Sequence, residues 1–527
     1  MYTEIGACLK RDSNRSGPYI VFDLQPATFE EFLREAGRGN VVPVVRSVLA
    51  DLQTPVGAFM RIASEARYAF LLESVEGGER VARYSFLGAN PQMIVRGRGS
   101  ETIVEKYGEL ETLHNQRVMD FVREYFGERE LARRGGLPPL TGGAVGYLGY
   151  DAARWFEPSL ELNGDSDSRN DDAVWMFYRT VLAFDRVRQR MEITSVVLTE
   201  EAEGSHTRLK ELYERAVRET ARLEKVLFRD SPVHAHESTE PAGSASDDDH
   251  VVFHSNWSRD EFESGVRSIK EYIAAGDCYQ AVLSQRFSKD VHADPIAIYR
   301  ALRTTNPSPY MYFLRVGDET IIGASPELLV RCRGQRLDYR PIAGTRRRGA
   351  TEAEDWMFGE DMRTDEKEVA EHMMLVDLGR NDLGRVAEYG SVEIGELMEV
   401  ERYSHVQHLV TSLRARLRDG LDRFDALAAC FPAGTVTGAP KIRAMEIIRE
   451  LEPDSRGVYA GAIVYLDFAD NLDSCIAIRT IHMRDGIASV QAGAGIVADS
   501  VPEREYDETM DKANALVRAI RMAEEGL

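Results

Sequence analysis

The chain is poor in cysteine, short of positive charge, and without a long apolar run. Its five cysteines (Cys8, Cys278, Cys332, Cys430 and Cys475) are odd in number and scattered, with no metal-ligand spacing. They are expected as reduced thiols of a cytoplasmic protein. A formal net charge of -22 argues against nucleic acid as a partner, because phosphate binding needs basic surface. An anionic small molecule would need a local cationic pocket to overcome that overall field. No stretch is long enough to span a bilayer, and the N-terminal MYTEIGACLKRDSNRSGPYI lacks an apolar signal core.

What remains is the profile of a large globular chain, 43% hydrophobic and 29% charged over 527 residues. The segment 231–250, SPVHAHESTEPAGSASDDDH, is too polar to bury itself and reads as a linker or surface loop between parts 1–230 and 251–527. The first part is strand-rich, with short runs at 69–74 and 83–87 about the Gly77-Gly78 turn, then 142–149, 174–185 and 191–198. These read as one buried antiparallel sheet, closed by a helix within 201–227. The glycine-laced run 142–149 has no following helix or distant acidic residue, so it is no dinucleotide fingerprint. The second part opens with a capping box, Ser258 and Glu261, on a helix ended by Gly276. A strand over 278–287, a helix begun by Asp294-Pro295 and a strand over 310–316 follow. Strands come in hairpin succession, which predicts an α+β fold of large, mainly antiparallel β-sheets flanked by helices.

Two acidic helices stand out. In 491–520 an apolar glycine-broken strand leads to a helix begun near Pro502, with Tyr506, Met510, Ala513 and Val517 as the expected buried stripe. Glu505, Glu508 and Lys512 share the neighbouring face. In 365–378, Glu368 and Glu371 flank an expected stripe of Val369, Met373 and Val376. Such pairs are either solvated faces or two walls of one cleft. If four carboxylates converged they would repel unless a cation lay between them, and an all-oxygen donor set favours Mg2+. Pieces of a matching anion pocket are present. Gly344-Thr345 offers loop donors, Gly434–Arg443 places donors ahead of a helix near Pro440, and Arg479 is read as a guanidinium in a strand that demands an anion. Gly493 and Gly495 admit a ligand close to the backbone. Together they suit a small multi-carboxylate substrate clamped by a metal.

The stretches EKEVAEHMMLVDLGRNDLGRV, ERYSHVQHLVT, PIAGTRRRG, GTVTGAPKIRAM, AGAIVYLD and QAGAGIVADSVPEREYDETMDKA resemble the chorismate-utilising enzymes, most nearly their anthranilate-forming branch. The resemblance covers nearly the whole chain apart from the linker. It implies an Mg2+-dependent lyase that makes anthranilate and pyruvate from chorismate and ammonia, the entry to tryptophan synthesis. Glu371 and Glu508 would be direct metal ligands, with Glu505 and Glu368 completing the acidic cluster. Glu368 would also be the acid for the departing C4 hydroxyl, and His408 the base for the C2 proton. Gly344, Thr345, Thr435, Tyr459, Arg479, Gly493, Ala494, Gly495 and Lys512 match substrate-binding positions.

Two positions discriminate within the family. Gln280 stands where isochorismate- and salicylate-forming relatives carry a lysine base for water, and Ala343 where aminodeoxychorismate synthases carry a lysine nucleophile. An amide and a methyl group leave ammonia as the better-supported attacker. Glu73, Ser74, Arg83, Asn306, Pro309, Tyr310, Met311, Ile463 and Tyr465 match a tryptophan feedback site. The family further implies a glutamine amidotransferase subunit that delivers ammonia within a hetero-oligomer. No such module is seen within this chain, so alone it is expected to use ammonium salts and not glutamine.

Overall fold

The computed structural model describes residues 21–75, 83–133, 135–160, 171–229, 253–403 and 406–526. Within them the strands form a 13-stranded sheet, an 11-stranded sheet and a small 3-stranded sheet, with antiparallel strand pairs throughout. The α+β expectation holds. The linker at 231–250 and the Gly77-Gly78 turn lie outside the described residues.

Both large sheets combine strands from either side of that linker. Tyr68–Glu73 pairs with Tyr310–Val316 in the larger sheet, and Gly143–Leu148 with Ala462–Asp467 in the other. The strands expected to form one N-terminal sheet are therefore divided between two. The run 174–185 is two strands, Ala173–Tyr178 and Thr180–Asp185, which part at Arg179 and enter different sheets. Apolar residues on both sides of the break left no change of period to mark it.

The two sheets face each other. Phe70, Phe86, Tyr312 and Leu314 from one pack with Val145, Tyr147, Met176 and Ile463 from the other. Helices cover the outer faces: Pro295–Thr305 and Pro502–Glu524 pack on the larger sheet, Glu366–Gly384 and Arg423–Cys430 on the smaller. The predicted caps are present. Ser258 and Glu261 exchange hydrogen bonds at the start of Arg259–Ala275, and Gly276 ends it at φ +87°.

The helical stripes lie slightly off the expected positions. In Pro502–Glu524 the buried residues are Thr509, Ala513, Leu516, Ala519, Ile520 and Ala523, while Tyr506, Met510 and Val517 are half-buried. Burying Leu516 and Ile520 contributes roughly 2 kcal/mol each. In Glu366–Gly384 the buried residues are His372, Leu375, Val376, Gly379, Asp382 and Leu383; Val369 is half-buried and Met373 is 38% exposed. One turn of that face is polar but still buried, because His372 Nε2 meets the Thr411 hydroxyl at 2.6 Å. A pattern that counts only apolar residues misses it.

Candidate active site

The chain crosses between the sheets twice at one place. Glu319–Ser325 belongs to the larger sheet and Leu328–Arg333 to the smaller, with Pro326-Glu327 between them. Asn471–Ile476 and Thr480–Arg484 are divided in the same way, with Arg479 between them. The crossings are stitched together by Ala324 N–H to Arg479 O (3.1 Å) and Ile476 N–H to Glu327 O (3.1 Å). Arg479 is thus in a bend and not in a strand, with φ +49°, a left-handed conformation that costs a non-glycine residue about 1 kcal/mol or more. Its guanidinium makes no hydrogen bond among the described residues. Burial lowers its affinity for its proton and the nearby Glu327 raises it. Burial pushes the Glu327 carboxyl up to about 8, offset in part by the Thr435 hydroxyl and Arg479.

His408 stands opposite, on the strand Val406–Val410. Its Nδ1 lies 2.8 Å from Gly344 O and 3.1 Å from Thr345 Oγ1. Only a donor can face a carbonyl, so Nδ1 carries the hydrogen and Nε2 keeps its lone pair. Burial lowers the imidazole pKa, and Arg479 lowers it further against the pull of the Gly344 carbonyl. The ring is therefore a neutral base. Gly344 has φ +63°, and a Cβ there would meet Met362 Sδ at 2.9 Å and Glu368 Oε2 at 3.0 Å. Glu368 itself accepts from Arg346 Nη1 at 2.7 Å. Glu327, which burial holds protonated up to about 8, is a second candidate for the acid.

The acidic helices meet at this site. Burial pushes the Glu371 carboxyl up, and Glu368 on its own helix and Glu508 on the C-terminal helix push it further. Burial and Glu508 raise Glu505 in the same way, while Ser500 opposes them. Lys512 bridges Glu508 (2.7 Å) and Gly493 O (3.0 Å). Among the described residues no three His, Cys, Asp or Glu side chains lie close enough together to hold a metal ion. Mg2+ asks for less, one or two carboxylates with water and substrate oxygens for the rest, and the mutual repulsion of Glu371 and Glu508 is the kind a cation relieves. The donor set fits.

Gly493 and Gly495 face this region from the strand Ile487–Ile496. A Cβ on Gly493 would lie 2.9 Å from the Tyr459 hydroxyl, and one on Gly495 would lie 2.4 Å from Gln280 Nε2. Ala494 points the other way, into a core with Leu283 and Ile447, so only its backbone is available to a ligand. Ala343 is buried in the strand Ile342–Arg347. A cavity of about 320 Å³ opens between His408, Arg479, Glu508 and Lys512, and its far wall is the loop from Asn306 to Pro309.

A second cavity of about 340 Å³ lies between the sheets. Glu73, Ser74, Arg83, Pro309, Tyr310, Met311, Ile463 and Tyr465 all line it, whereas Asn306 lines the first cavity. Pro309 lines both. Ser74 Oγ is buried without a partner among the described residues. Glu73 is already engaged, accepting from Tyr299 Oη (2.7 Å), Arg303 Nε (3.0 Å) and Arg186 Nη2 (3.3 Å). Arg83 likewise grips Asp185 with two nitrogens.

The sequence pattern of the chorismate binding enzymes matches residues 67–518. The chain belongs to the chorismate-utilising enzyme family. It is 44% identical over 499 residues to anthranilate synthase component 1 of Acetivibrio thermocellus, covering 94% of this chain and 99% of that protein. The Pseudomonas putida protein of the same name shows the same identity and coverage. Among solved structures, anthranilate synthase component I of Streptococcus pneumoniae superposes with a TM-score of 0.70 at 35% identity, over 89% of this chain and 98% of that one. The menaquinone-specific isochorismate synthase of Escherichia coli shares the fold, with a TM-score of 0.66 at 18% identity over 93% of this chain and 98% of that one.

Of the residues matched to this family's substrate site, Arg479 and Lys512 line the first cavity, Gly344 and Thr345 contact His408, and Gly493 contacts Lys512 and lies against Tyr459. Glu327 was missed by the sequence reading. Its signal was available: a lone carboxylate after proline inside the apolar run IIGASPELLV.

Proposed function

We propose that the chain converts chorismate and ammonia to anthranilate and pyruvate. The observation that carries this reading is the single cavity onto which His408, Arg479, Glu508 and Lys512 open, in a chain of this family. Arg479 and Lys512 are the cations for the substrate carboxylates, and Gly493 and Gly495 leave room for its ring. Mg2+, held by Glu371 and Glu508 with Glu505 nearby, would withdraw charge from the ring carboxylate. Protonated Glu327 gives its proton to the C4 hydroxyl as that leaves with the ammonia nitrogen adding at C2. Neutral His408 takes the C2 proton at Nε2 as pyruvate departs and the ring becomes aromatic. Gln280 and Ala343 supply no base for water and no competing nucleophile.

The second cavity is proposed to take tryptophan as a feedback inhibitor. Ser74 Oγ offers it a hydroxyl, and Tyr310, Met311 and Ile463 offer an apolar wall. Since Pro309 lines both cavities, a ligand in one biases the shape of the other. Glu73 would meet the ligand's ammonium only as a member of its existing network. Ammonia is proposed to come from a glutamine amidotransferase partner. The test is an assay of the purified chain with chorismate, Mg2+ and ammonium, with and without tryptophan. Anthranilate that diminishes with added tryptophan is expected; a different product, or indifference to tryptophan, would refute the corresponding half.

A further inference from the structure

The buried pair Arg456–Glu452 joins the strand Gln280–Asp290, the short helix Gly434–Val436 and the rings of Tyr150 and Tyr459. The Arg456 side chain is 1% exposed. Its Nε and Nη2 donate to the two Glu452 oxygens (2.9 and 2.7 Å). A further Nη2 hydrogen reaches Val282 O (2.7 Å), and Nη1 reaches Val436 O (2.7 Å). The guanidinium carbon sits 4.6 Å from the Tyr150 ring centre and 5.6 Å from that of Tyr459. Glu452 extends the link by accepting from the Ser284 N–H (2.8 Å) and hydroxyl (2.7 Å).

These contacts fall beside residues matched to the family's substrate site. Val282 is the register partner of Gly495, and Ser284 that of Gly493. Val436 follows Thr435 in the short helix Gly434–Val436. The Tyr459 hydroxyl closes against Gly493. A planar fork with four of its five hydrogens engaged sets angles as well as distances, which an ammonium does not. Stability alone does not call for such a pair, because packed apolar side chains of like volume often serve as well.

We propose that Arg456, held by Glu452, is a positioning residue that sets the Gly493–Gly495 strand, the Thr435 turn and the Tyr459 ring relative to one another. The inference rests on the reading of the cavity as a chorismate site. Three variants of the full chain test it: Arg456→Lys, Arg456→Met, and Arg456→Met combined with Glu452→Gln. The lysine keeps Glu452 paired, and the double variant leaves no unpaired buried charge, so both separate folding from placement. In the double variant, thermal unfolding close to wild type is expected with faster amide exchange at 435–437 and 493–496. Its kcat/KM for chorismate should fall about a hundred-fold, mainly through KM. Arg456→Lys should recover part of that loss. Wild-type exchange and wild-type KM in either of these two variants would overturn the proposal. If the wild-type protein turned over no chorismate, the reading of the cavity would fall, and amide exchange at the two segments would still decide the role of Arg456.

Discussion

Glu327 and Arg479 occupy adjacent crossings between the two large sheets, joined through the Ala324–Arg479 and Ile476–Glu327 backbone hydrogen bonds. Each is an ionisable side chain at the end of an apolar strand, and each is pulled from its ordinary pKa by burial. A carboxyl that stays protonated near neutrality beside a guanidinium suits proton donation next to an anion site.

Replacing that carboxyl should remove the acid. Glu327→Gln is expected to lower kcat by a factor on the order of 10² to 10⁴ and to abolish an alkaline limb near pH 8 in the rate profile. Stability supplies an independent check. The folded carboxyl titrates at about 8 against an ordinary 4.5, so between those values the folded state holds a proton that the unfolded state releases. Stability from this group is complete below 4.5 and is lost as pH rises to 8. The variant should therefore show a shallower fall over that window, by up to about 1.4 kcal/mol per pH unit, in denaturant titrations.

His408 should set the acidic limb. Its pKa lies below 6.5, so the neutral base persists to moderately acid pH and kcat should decline only below that value. His408→Asn should cost roughly 10² to 10⁴ in kcat, with little change in KM. A variant of undiminished rate would remove His408 from the chemistry.

Local features of the sequence were easier to read than where the chain turns. Both acidic helices, the Ser258–Glu261 capping box and the glycine strand were legible, because helical spacing and capping chemistry are local. The partition of strands between two sheets was not, since Val174–Asp185 is apolar on both sides of Arg179 and its partners come from distant segments. The same blindness took Arg479 for a strand residue and passed over Glu327. Glu73 was expected to await a ligand, but sequence carries no sign of the two arginines and the tyrosine that enclose it.

Those partners define another experiment. Glu73→Ala should destabilise the fold by about 1 to 2 kcal/mol, because Tyr299 would lose a buried acceptor and the partly exposed Arg186 and Arg303 their counter-ion. Ser74→Met should instead fill the second cavity, abolishing tryptophan binding by calorimetry with turnover retained. Tryptophan binding of wild-type strength to Ser74→Met would place that ligand elsewhere.

Side chains added to the glycine strand should obstruct substrate to different degrees. Gly493→Ala meets the Leu283 carbonyl at 3.0 Å as well as the Tyr459 hydroxyl, whereas Gly495→Ala meets only the Gln280 side chain. Combining Gly495→Ala with Gln280→Ala should recover much of the chorismate KM, and no second change in that side chain should rescue Gly493→Ala. Equal KM values across the series would show that the substrate does not approach this strand.

The central claim is that Glu371 and Glu508, 137 positions apart by their numbering, serve one divalent cation. The direct measurement is the rate of anthranilate formation from chorismate and ammonium as Mg2+ is titrated, for wild type, Glu371→Gln and Glu508→Gln. A saturable Mg2+ dependence in the wild type, lost from both variants while tryptophan binding persists, is the predicted result. Wild-type Mg2+ curves in both variants would contradict it.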